Sequence, residues 1–145
     1  MYVFHTTIHA RPAAAIAGSP IQISDQSVDT LQVPHEALGG TTFDCTFETA
    51  IARLSQLERM YSEPDGSWVW VSSQGAPPWQ VEGNLYDKSE RLLFVDAKGS
   101  CPAEQFDRLL TAFGWPQTSL MFQLVRQAVL LDEAEFRRIS EVASG

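Results

Sequence analysis

The run Ser67-Trp-Val-Trp-Val71 limits the possible folds more than any other five residues of the chain. Alternating aromatic and β-branched side chains favour extended backbone. On a strand, Trp68 and Trp70 project to one side while Val69 and Val71 project to the other. Both sides are apolar, so one must pack on helices and the other needs cover of its own, unlike a half-solvated antiparallel strand. A loop such as residues 11–20, or a second layer, would supply that cover and bury the indoles, the usual fate of so large a side chain. Alternatively that side stays partly open, and Trp68, Trp70 and Trp79 line a groove or dimer contact, since Trp is enriched at interface centres. On that reading Gly75 to Pro78 hold Trp79 on a stiff loop. Trp115 follows a helix end and is expected to pack back on the last turn.

Around this strand the sequence lays out an α+β pattern. Residues 79–87 and 91–98 read as strands joined by Lys88-Ser-Glu90, a connection short enough to require an antiparallel hairpin. Residues 2–10 are β-branched and aromatic and read as another strand. Pro20–Ser24 and Asp29–Pro34 alternate apolar with polar, which predicts two short strands around a turn at Asp25 to Ser27. Residues 11–20 are expected to be irregular, and Glu36–Thr42 to be a loop because of its paired glycines. Phe47, Ile51, Leu54, Leu57 and Tyr61 form a helical stripe. Thr46 caps that helix, and Pro64 with Asp65-Gly66 stops it. Pro102 opens a second helix with a stripe of Phe106, Leu109, Leu110 and Phe113, ended by Gly114 and Pro116. A helix is predicted near 119–127, and Asp132 with Glu135 makes a capping-box-like start to a last one. The expected fold is a single α+β domain over residues 1–145. It would hold an antiparallel sheet of about 4–6 strands, with about three helices packed mainly on one face.

Charge excludes some functions. The net charge of −8, with ten scattered Lys and Arg, argues against nucleic acid and anionic membrane surfaces as partners. No stretch approaches the roughly 20 apolar residues of a membrane-crossing helix. The N-terminus lacks a basic region ahead of an apolar run, so a cytoplasmic protein is expected. Its two cysteines fit a reducing compartment.

Few residues point to chemistry. Cys101, just before the Pro102 helix, stands where free N–H groups and the helix dipole would favour a thiolate, with Lys98 nearby as further help. It would need a base, and His5, His9 and His35 are the histidines available. The other reading is a small, half-buried residue at the helix cap. Cys45, alternating with Phe43 and Phe47, reads as core. His5 and His9 share one face of a strand at roughly 13 Å, too far to grip one ion, so no metal site is expected. No nucleophile elbow, phosphate-binding loop or cofactor motif is present. Glu104 and Arg108 have the spacing of an i,i+4 pair. Gly83 suggests a bulge or a close backbone approach. Asn84 and Tyr86, on the strand beside the tryptophans, complete the candidate binding surface.

These features predict a non-catalytic binding or assembly protein using Trp68, Trp70, Trp79, Asn84 and Tyr86. Its partner would be another protein or a second copy in a homodimer. A small thiol-dependent or redox-active enzyme using Cys101 is the alternative.

Overall fold

The computed structural model describes residues 1–75 and 77–142. Ala76, in the stretch expected to stiffen the Trp79 loop, lies outside them. The chain begins with β1 (Tyr2–Ala10), followed by β2 (Ile16–Ala17), β3 (Ile21–Ile23), β4 (Gln26–Val28) and β5 (Leu31–Gln32). Two helices come next, α1 (His35–Gly40) and α2 (Phe47–Leu54), then β6 (Met60–Ser62) and β7 (Ser67–Val71). The long hairpin of β8 (Gln80–Lys88) and β9 (Arg91–Cys101) leads into α3 (Ala103–Thr111). A second hairpin, β10 (Leu120–Leu124) and β11 (Val129–Asp132), leads into α4 (Glu133–Ser140). Nine strands form one antiparallel sheet in the order β2-β5-β11-β10-β1-β9-β8-β7-β6, while β3 and β4 make a separate ribbon.

The mixed α and β character is as expected, but the sheet is larger than four to six strands, and four helices are described rather than three. The segment predicted as a helix near 119–127 is β10 and its turn. Leu120, Met121 and Phe122 are all buried, one on the far side of the sheet from its neighbours, so they carry no one-sided stripe to follow. The helix starting at Phe47 ends at Leu54. Arg59, at φ +60, then reverses the chain into β6, so Tyr61 joins the sheet. Glu36–Thr42 is not all loop, because Gly39 and Gly40 close the short α1, and the 11–20 stretch contributes β2. The first ribbon turns at Ser24-Asp25, both at positive φ, and Leu31 leaves it to pair with Leu130 in the main sheet.

Register assigns the two faces. Tyr2, Phe4, Ile8 and Ala10 of β1 share one face with Val95 and Cys101, Val81 and Leu85, Trp68 and Trp70, and Leu120 and Phe122. α3 and α4 close over it. The Phe106 ring meets Tyr2, Phe4, Phe122 and Phe136 at centroid distances of 5.5, 5.2, 6.1 and 5.8 Å. Phe136 of α4 stacks on Phe122 at 4.3 Å. Each such buried ring contributes roughly 1.5–3 kcal/mol relative to an exposed one. Ala50 and Leu54 of α2 belong to the same core. Arg137 of α4 ties the layer together, with ion pairs to Asp107 at 2.8 Å and Glu133 at 3.0 Å. No described helix is long and apolar enough to cross a membrane.

Candidate functional site

The tryptophans belong to the helical face. Trp68 is 4% exposed and Trp70 2%, so neither indole is available as a docking surface. Trp70 Nε1 donates to the Glu58 carbonyl at 3.0 Å, and half-buried Trp79 meets the Trp70 ring edge-on at 4.8 Å. Trp68 lies across Gly83. A Cβ at Gly83 would stand 2.5 Å from the Trp68 ring and 1.9 Å from the Asp96 carbonyl oxygen. Gly83 therefore permits close packing; the β8–β9 irregularity falls at Tyr86/Asp87 instead.

The thiol reading fails on the same face. Cys101 ends β9 opposite Tyr2 and is fully buried. Burial pushes its thiol up to about 12, against the smaller opposing pull of the N-terminal ammonium and Arg137. It is therefore a neutral core side chain rather than a thiolate. His5 and His9 project from the opposite side of β1, so neither can serve it as a base. Cys45 is also buried, and its thiol is pushed up by that burial.

The other face is where polar groups gather, and the strand register sets them in rows. Gln123, Thr7, Asp96, Asn84 and Ser67 stand side by side on five adjacent strands. On one flank of this row lie His9, Phe94 and Tyr86; on the other lie His5, Lys98, Glu82 and Val69. Outermost come Val3, Ser100, Gln80 and Val71. Period-two alternation makes this pattern, since every second residue of each strand faces the same way.

Neighbours in the rows fix one another. Thr7 Oγ1 donates to Asp96 Oδ1 at 2.9 Å, and His9 Nε2 lies 3.1 Å from Gln123 Oε1. Asn84 Nδ2 donates to the Leu85 carbonyl at 3.0 Å. Tyr86 stacks on Phe94 with centroids 4.5 Å apart. Burial lowers the His9 pKa, although the Gln123 hydrogen bond and the Asp96 charge pull the other way. Burial and Asp96 both raise that of the Tyr86 phenol. Two shallow depressions mark the face. One, of about 350 Å³, lies among His5, Ser67, Glu82, Asn84, Asp96 and Lys98. The other, of about 310 Å³, lies where His35 and Leu38 of α1 stand over His9, Phe94 and Gln123.

Of the sequence-derived candidates, Asn84 and Tyr86 lie on this face, together with His5 and His9, and His35 comes beside His9 by folding. Trp68, Trp70 and Cys101 lie behind it. Thr7, Phe94 and Gln123 carry no sequence signal of their own; they emerge once β10 is placed beside β1. Among the described residues no group of three His, Cys, Asp or Glu side chains could hold a metal ion. No family model, curated protein or solved structure matches this chain.

Proposed function

We propose that this chain is a non-catalytic binding and assembly protein, and that a second copy of itself docks on the polar face of the sheet, beside the part that α1 covers. The observation that carries this reading is the mixture of side chains that face presents. Tyr61 is 58%, Val3 52% and Tyr86 39% exposed, and half-buried Val69 and Val71 lie between them, all interleaved with the hydrogen-bonding row. Aromatic residues among satisfied polar groups are what protein interfaces favour. Rows of five, three, four and four residues on strands about 4.8 Å apart give a patch of roughly 500 Å². With Tyr61 beside it, that is more than half of the ~800 Å² per partner of a standard interface. Charge also favours self-docking. The four rows hold Glu82 and Asp96 against Lys98, close to neutral on a chain of −8, so two such faces meet without the repulsion that the rest of the surface would create.

Sedimentation velocity from micromolar to millimolar protein tests this. The wild type is expected to form a dimer, and Tyr86→Arg or Val69→Glu to be monomeric with unchanged near-ultraviolet circular dichroism. A wild type that stays monomeric across the range overturns it.

A further inference from the structure

The sheet is split along one edge of β1. β10 runs beside β1 from Thr6 to Ala10, with one more bond from the Val125 N–H to the His5 carbonyl. At the other end Tyr2 bridges to Glu141, and the Val142 N–H donates to the Met1 carbonyl. Between these two seams, among the described residues, no strand flanks Val3 on this edge. The Tyr2–Glu141 bridge turns the Val3 N–H toward the Ser140 carbonyl and leaves the Val3 carbonyl facing the gap.

A crevice of about 450 Å³ opens at this gap. Its deep walls are apolar: Phe4, Leu124, and Phe136 and Ile139 of α4. Its mouth holds His5, Lys98 and Arg126. No carboxylate side chain lines it, although acidic residues outnumber basic ones by 18 to 10 in the chain. Lys98 faces Glu82 in the register, yet among the described residues neither Lys98 nor Arg126 takes part in an ion pair. A greasy slot with cations at its opening suits one kind of guest.

We propose that this split binds a single-chain anionic amphiphile of medium length, a free fatty acid in chemical class. The alkyl tail lies between Phe4, Leu124, Phe136 and Ile139. The carboxylate sits at the mouth with Lys98 and Arg126. The mouth shares Val3, His5 and Lys98 with the docking face, whereas the tail enters the sheet rather than lying on that face.

The test is calorimetric titration of the full chain with decanoate below its micellar concentration, beside decanol as the uncharged control. Decanoate is expected to bind saturably at one site and decanol much more weakly. Lys98→Glu combined with Arg126→Glu is expected to weaken decanoate by about tenfold or more, the scale of two exposed ion pairs. Ile139→Trp, which fills the slot, is expected to abolish binding, and Tyr86→Arg to leave it intact. No saturable binding to the wild type overturns the proposal. So does equal affinity for decanol, or a charge-reversed variant, folded by circular dichroism, that binds decanoate as the wild type does. Because decanoate is titrated into monomeric Tyr86→Arg as well as into the wild type, binding is read whether or not the chain assembles, and the two proposals fail separately.

Discussion

His9 is one of the few polar side chains buried in this protein, and its environment favours the neutral ring. Loss of solvent lowers its pKa from 6.5, more than the Gln123 hydrogen bond and the Asp96 carboxylate raise it. The unfolded chain therefore binds a proton at higher pH than the folded one does. Stability from this site is complete above the ordinary value of 6.5 and drains away as pH falls from there toward the lower folded value. The stability of the wild type to heat is expected to fall more steeply as pH drops below 6.5 than that of His9→Gln, whose amide does not titrate. Parallel slopes for the two proteins over that interval would show that the ring is solvated in the folded state.

Caps and turns act one level up. Asp132 ends β11 and starts α4, and its Oδ1 accepts from the Glu135 N–H at 2.8 Å. Glu135 does not return the bond as a capping box would. Its carboxylate instead takes the Asp29 N–H and the Arg138 guanidinium, each at 2.6 Å, and so holds the β3–β4 ribbon against the helix. Replacing Asp132 by Ala is expected to cost about 1 kcal/mol in urea denaturation, and Asp132→Asn much less, because asparagine caps nearly as well. This start was legible because capping is local, as were the Lys88–Glu90 hairpin and the Pro102 helix. β10 was not. Its apolar run has no period, and the strand that defines it lies more than 110 positions earlier in the chain. The candidate site divides in the same way. Asn84 and Tyr86 could be picked from one strand, but which side of Trp68-Val69-Trp70 takes the helices is decided by β1, β9 and β10 together. Between the buried and the partly open indole, the two readings that the run allows, the choice is thus made by distant strands and not by residues 67–71 themselves.

At the scale of the molecule, the N-terminal ten residues hold the sheet together. β1 has four strands on either side of it in the order, and both sheet edges end in strands of two or three residues, β2 and β6. Short edges offer little template to another chain, so the pairing energy is concentrated in the middle. The side chains of β1 add to it across long loops: Thr6 Oγ1 donates to the Gln123 carbonyl at 2.8 Å and Thr7 to Asp96 at 2.9 Å. Contacts so far apart in sequence have to close large loops before they gain anything, which makes β1 docking a slow and cooperative event. Deleting residues 1–10 would leave β9 and β10 with facing, unpaired edges and remove Phe4 and Ile8 from the core. The expected result is loss of the near-ultraviolet dichroism and of a cooperative denaturant transition; a truncated chain retaining both would mean that β9 and β10 close the sheet without β1. The same deletion removes Val3, His5, Thr7 and His9, and with them one wall of the crevice and one residue from each of the four rows. Truncation therefore cannot separate stability from binding here, whereas single changes on the exposed side, such as Tyr86→Arg, leave the central pairing intact and read the surface alone.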